Sequence, residues 1–415
     1  MKRSRSRLGL SRRSFLATSA GAAAAAGTGI GLPELAGASP IRQAIPFHGT
    51  HQSGIATPAQ DALCFASYDL PTQSLQNVRD LFRMWSQAAA GMMAGGPGGG
   101  PNNREKTVPV DTGDALGLKP SHLTITFGFG PTLFENNGVD PFGLAGRKPA
   151  ALKALPAFKG DQIDPSISAG DVCIQACSDD AQVAFHAVHT LTHMANGAAA
   201  IRWTQMGFGR TSSTGSSQVT PRNLMGFKDG TNNLRGDDAT GMSQYVWVGS
   251  EGPGWMANGT YLVARKIRMQ LGSWDGSILH EQEHTFGRFK SSGAPLTGHN
   301  EYDPVDLEAV DSHGNPIIPL DAHIRVAAPS NNSGRRLLRR GYSFSEGVDS
   351  NNGDLQAGLF FICFQRDPQT QFVAIQQQLA NHDHLNRYIV HTASAVFAIP
   401  PGVSRSGYVG EGLLG

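Results

Sequence analysis

The chain has 415 residues, 40% of them hydrophobic and 16% charged, with a formal net charge of +1. This composition excludes a chain that is disordered throughout, and the length suffices for two domains or one large one.

Residues 1–38 come first and stand apart from the fold. Lys2, Arg3, Arg5, Arg7, Arg12 and Arg13 form a basic start, an apolar run follows over 15–32, and Ala36-Gly37-Ala38 makes a cleavage signature before Ser39. The run is too short and too rich in Gly and Ala for a comfortable spanning helix, so the segment reads as an export signal and not as the anchor of an integral membrane protein. "SRRSFLA" (11–17) resembles the twin-arginine type. That machinery carries folded proteins, which suits a bulky cofactor inserted before export, although folding speed or oligomer assembly calls for the same route. A periplasmic or extracellular location is expected, and a homo-oligomer is left open. Without six basic residues and one acidic residue of the signal, 28 Lys+Arg face 32 Asp+Glu, a net charge of −4. Nucleic acid does not suit that balance.

The elements then alternate. Residues 62–70, 123–129, 171–177 and 200–208 read as strands, with helices over 72–92 and 180–195. A second set has strands over 259–269 and 358–365 and helices over 273–290 and 368–380. The pattern in each half suggests two ferredoxin-like units with antiparallel sheets, an α+β architecture with domains over 39–225 and 226–415. Residues 90–106 are Gly/Pro-rich and read as a mobile loop, and 298–323 is a long turn-rich connection of the kind that lines sites. Cys64, Cys173, Cys177 and Cys363 all fall in apolar strand-like runs. Cys173 and Cys177 on one strand stand about 13 Å apart, beyond bonding reach, so free thiols are expected.

Three stretches carry the chemistry: "GFKDGTNN" (226–233), "DAHIRVAAP" (321–329) and "LLRRGYSF" (337–344). Taken singly they read as a turn, a structural histidine beside a strand, and a solvated basic run. Together they resemble the dye-decolorizing peroxidases, a likeness that extends to 47–60, 123–134, 171–188, 202–209 and 364–372 and is closest to the exported, deferrochelatase/peroxidase-like subgroup. The resemblance implies two ferredoxin-like domains of the dimeric α+β barrel type and one haem b per chain in the C-terminal half. It assigns His323 as the iron ligand, Asp229 as the distal proton shuttle, Arg340, just before Gly341, as the stabiliser of developing charge, and Gly230 and Tyr342 as further residues at the cofactor. A carboxylate in the C-terminal segment is implied as the partner of His323, with Asp383 preferred and Asp367 as the second candidate. Hydrogen peroxide and small aromatic reductants are the implied substrates. A haem-binding iron-uptake component with secondary peroxidase activity is the alternative. An unperturbed aspartate titrates near pH ~3.9, so with a carboxylate as the base an acidic optimum is expected. Tyr342 and the five tryptophans are candidates for carrying electrons, with packing as the plainer reading.

Two further patterns have plainer explanations. His280, Glu281 and His284 match the H-E-x-x-H pattern of zinc hydrolases, but a third ligand is lacking unless Glu301 or Glu308 serves. His186, His189 and His193 share a helical face and read as solvated surface rather than as a metal site.

Overall fold

The computed structural model describes residues 44–72, 74–99, 107–350 and 353–415, so the export signal lies outside the described residues. Strand β1 (Ala62–Asp69) is buried along almost its whole length. Successive side chains of a strand face opposite ways, and here both ways lead into apolar surroundings. Leu63 and Phe65 join Trp203, Phe360 and Phe397 in one cluster, whereas Cys64, Ala66 and Tyr68 join Phe82 and Trp85 in another. That is why the strand reads as an unbroken apolar run.

Helix α1 (Leu75–Met93) builds the second of those clusters. The Ser74 side chain accepts from the Asn77 amide to cap it, and Val78, Leu81, Phe82, Trp85, Ala89 and Met92 form its apolar stripe. β2 (Thr124–Phe129), β3 (Val172–Ser178), α2 (Ala181–Ala195) and β4 (Ala200–Arg210) complete the first half. Asp180 caps α2, and Asn196 ends it in the left-handed conformation. The strands lie antiparallel in the order β2-β3-β1-β4, the ferredoxin-like arrangement.

The second half contains α3 (Ala239–Tyr245), β5 (Thr260–Met269), α4 (Leu271–Asp275), α5 (Leu279–Phe286), α6 (His323–Val326), β6 (Leu338–Arg339), β7 (Tyr342–Val348), β8 (Leu355–Gln365), α7 (Ala374–His382), β9 (Ile389–Ile399) and α8 (Glu411–Leu414). Its order β9-β5-β8-β7 repeats the first. β4 pairs with β7 and β2 with β9, so eight strands close into a barrel-like ring, with short β6 added on β8. The α+β class with two antiparallel ferredoxin-like sheets holds, and the described residues belong to one compact unit. Among the described residues no helix is long and apolar enough to cross a membrane.

Two local expectations change. The helix expected over 273–290 is two short ones, α4 and α5, because Gly276 caps the first and Gly287, at φ 76°, ends the second. A Cβ on Gly287 would come within 2.3 Å of Ile324 Cγ2, so this glycine lets α5 end directly against α6. The run beginning at His323 is not strand-like but a single helical turn.

The aromatic cluster shared by β1, β4, β8 and β9 predicts a sharp contrast in stability. Phe65→Ala, at a fully buried position, is expected to cost about 3–5 kcal/mol in denaturant unfolding. Phe208→Ala, on the same sheet but half exposed, should stay within about 0.5 kcal/mol of the parent.

Candidate active site

The outer face of the ladder β8-β5-β9 forms the wall of a cavity of about 260 Å³. Cross-strand partners supply that wall: Arg265 faces Phe361, Ile267 faces Leu359 on one side and His391 on the other, and Met269 pairs with Ile389. Helices α6 and α7 and the loop 223–232 close the remaining sides, so every lining residue lies between 223 and 391.

His323 opens α6, and its Nδ1 donates to Asp383 Oδ2 at 2.6 Å. Asp383 stands where α7 ends, and its other oxygen accepts from the Leu385 amide at 2.9 Å, so the buried carboxylate is held at both oxygens. An ionised carboxylate only accepts, so the proton sits on Nδ1 and the lone pair on Nε2. Burial opposes a charged imidazole, but the charge and hydrogen bond of Asp383 outweigh it, and the pKa of His323 is raised. The charges of Asp229 and Arg339 also reach this imidazole.

Asp229 lies on the loop entering from residue 221. Gly226 and Gly230 have φ of 85° and 101°, and a Cβ on Gly230 would meet Ser212 Cα at 3.1 Å, so glycine suits this turn. The Asp229 amide donates to Pro221 O, and its carboxylate accepts from Arg339 Nη1. Arg339 comes from β6, paired with Cys363 of β8. Asn233 fastens strand to loop: its Oδ1 accepts from the Arg339 amide at 2.8 Å, and its Nδ2 donates to Ser213 O and Arg339 O. Lys228, beside Asp229, pairs with Glu301 of the long connection, and Thr231 donates to the same carboxylate. Burial raises the pKa of Glu301, but these partners prevail and it is lowered.

The donor set discriminates between kinds of metal group. A bare protein-bound ion requires three or more side-chain ligands, and among the described residues no three of His, Cys, Asp and Glu converge in that way. One oriented imidazole in a largely apolar cavity fits a metal that brings its other ligands with it, as iron in a porphyrin does.

Two expected site residues lie elsewhere. Arg340 is fully buried outside the cavity, where it donates to Thr57 O, Thr214 Oγ1 and Gln60 Oε1. Neighbours on a strand point to opposite faces, so of two adjacent arginines the first, Arg339, reaches the cavity. Tyr342 is likewise absent from the lining: it is fully buried in the cluster with Leu63, Phe65 and Phe360. Gly230, Asp229, His323 and Asp383 do line the cavity. Asp367, the other candidate partner of His323, instead caps the turn before α7 by accepting from the amides of Gln369 and Thr370.

The two other histidine patterns of the sequence have local partners. His284 Nδ1 donates to His280 O, and Glu281 accepts from the Tyr388 hydroxyl, so the H-E-x-x-H residues serve α5 itself and its neighbour. Of the three histidines on α2, His189 and His193 are exposed and bond Asp114 and Pro109 O, whereas His186 is buried and bonds Asp111, so the face is solvated only in part. They pin the segment 109–114 to α2.

Comparison with known proteins identifies the family. The family model of the Dyp-type peroxidase N-terminal domain matches residues 52–209, and that of the C-terminal domain matches 220–404. The chain belongs to the Dyp-type peroxidase family. Relatives include a dye-decolorizing peroxidase of Thermobifida fusca, 37% identical over 98% of both chains, and a deferrochelatase of Yersinia pseudotuberculosis, 36% identical over 92% of this chain and 88% of that one. An oxyferrous/water mixed complex of DtpA from Streptomyces lividans superposes with a TM-score of 0.83 at 39% identity, covering 91% of this chain and 99% of the other. A DyP-type peroxidase from Streptomyces coelicolor gives the same TM-score at 40% identity, over 91% and 98%.

The His323–Asp383 pair makes a measurable prediction. Asp383→Asn replaces an anionic acceptor with a neutral one and should weaken haem retention by roughly 10–100-fold. The raised pKa of His323 has a second consequence, since a haem iron held through Nε2 would need the neutral imidazole. Acidification below that pKa should release haem, and a spectrophotometric titration should place the release at a lower pH in Asp383→Asn relative to its neutral-pH affinity.

Proposed function

We propose that the chain is a haem peroxidase that holds one haem b through His323, reduces hydrogen peroxide on the face served by Asp229 and Arg339, and takes electrons from dye-like or phenolic donors. The observation that carries this reading is the meeting, in one cavity, of a carboxylate-oriented imidazole with a separate carboxylate–guanidinium pair. The oxyferrous state of the similar DtpA complex supports iron in this setting. When bound, the haem supplies an iron that can accept two oxidising equivalents from peroxide and return them in one-electron steps.

The side chains supply the rest. Asp383 keeps the proton on His323 Nδ1, which leaves Nε2 for the iron and makes the imidazole a stronger donor. Asp229 would accept a proton from one oxygen of hydrogen peroxide and deliver it to the other, which leaves as water. Arg339 is tied to Asp229 while that carboxylate is charged. As Asp229 takes up the proton its hold on the guanidinium weakens, and the positive charge is free to stabilise the negative charge developing on the departing oxygen. Two donors then supply one electron each. A protein that only carried haem would have no use for this second pair, which weighs against the iron-uptake reading.

Asp229→Asn should retain the Soret band but react with peroxide ~10²–10⁴-fold more slowly in stopped flow. Arg339→Leu should fall in the same range, and His323→Ala should lose the Soret band. An unchanged rate in Asp229→Asn would remove the proposed proton shuttle.

We further propose delivery by the twin-arginine machinery to the periplasm or beyond. Fractionation of cells expressing the Arg12→Lys, Arg13→Lys double variant should find the protein retained, uncleaved, in the cytoplasm. Normal export of that variant would contradict this route.

A further inference from the structure

Arg265 presents a feature that the proposed chemistry does not use. Its side chain, 1% exposed, rises from the middle of β5 into the cavity wall. Nη2 donates to Asp161 Oδ1 at 2.5 Å, and the guanidinium carbon lies 5.3 Å from the centre of the Phe158 ring. Nε and Nη1 are buried and have no acceptor. Donors on a charged group are costly to leave unmatched in a dry wall. His391, on β9, completes the corner: it lines the same cavity, and its Nδ1 is 3.7 Å from Asp161 Oδ1. Burial and the neighbouring guanidinium push its pKa down to about 3, so it is neutral at ordinary pH and can donate or accept a hydrogen bond.

We propose that Arg265, with Asp161 and His391 around it, forms an internal carboxylate-binding subsite that receives one of the acidic side arms on the rim of the bound porphyrin. This inference rests on the haem reading given above. A carboxylate entering from the cavity supplies the acceptor that Nη1 and Nε lack, and a guanidinium matches it better than an ammonium does. Asp161 holds the guanidinium from behind and Phe158 covers its face, so the fork is oriented before the ligand arrives.

The test compares release of haem and of haem dimethyl ester from the loaded full-length protein to excess apomyoglobin, followed by the Soret change. Wild type is expected to lose the ester faster than the free acid. Arg265→Gln, which keeps a donor for Asp161 but removes the charge, should release haem roughly 10–100-fold faster than wild type while releasing the ester at the wild-type rate. Equal acceleration for both ligands would assign Arg265 to packing and overturn the subsite, as would no acceleration for either. Should Arg265→Gln fail to fold, Arg265→Lys, which keeps the charge but loses the fork, should show the same selective loss in smaller measure. A crystal structure of the haem-loaded wild type with no carboxylate at Nη1 or Nε would also overturn it. A wild type that gives no Soret band with either ligand would refute the haem reading itself, whereas one that binds both but ignores esterification refutes only the subsite.

Discussion

The antiparallel pairing of β5 with β8, from Tyr261 opposite Gln365 to Met269 opposite Ala357, is the contact on which the rest of the molecule depends. It joins the central strands of the second half, and with the β2–β9 and β4–β7 seams it turns two open sheets into one ring without exposed edges among its eight strands. The same ladder supplies the floor of the cavity, because Arg265, Ile267, Leu359 and Phe361 are cross-strand partners. A one-residue slip of β8 against β5 would turn Leu359 and Phe361 into the barrel interior and bring out the residues of β8 that fill it. Fold and site are therefore set by one pattern of hydrogen bonds.

Upon that rigid floor the polar groups of the proposed site arrive from four separate places in the chain: the loop bearing Asp229, the strand bearing Arg339, the helix opened by His323, and the end of α7 where Asp383 stands. None of these comes from the first half. The first half contributes in another way, since Thr57 and Gln60 accept from Arg340, the residue next to Arg339. One arginine of the pair is an internal strut and the other works in the cavity, so the strut helps to fix where its neighbour points.

Much of this was legible in the order of residues, and the failures share a cause. The strands and the helices α1 and α2 were visible because long apolar periodicities report burial directly. Motif resemblance points to Asp229, Gly230, His323 and Asp383, and all four line one cavity. That Arg339, and not Arg340, lines the cavity is not legible in the sequence, because a motif gives adjacency and the pleat gives direction, and with only two residues in β6 no alternating pattern marks which side faces in. Asn233 was quoted within a motif but given no part, since nothing in an Asn-Asn pair announces that one amide will tie a strand to a loop. His186 was read as solvated because its partner, Asp111, sits 75 positions away, and such a pairing leaves no local trace.

All four cysteines are unpaired and sealed in the two apolar clusters. Burial raises the thiol of Cys64 to about 12 and pushes those of Cys173 and Cys363 well above their ordinary value. The sulfur species that oxidants attack is the thiolate, and in these three residues it is suppressed. A catalyst that spends its working life beside an oxidant thus keeps its most vulnerable atoms chemically mute, and its maturation waits on no sulfur cross-link.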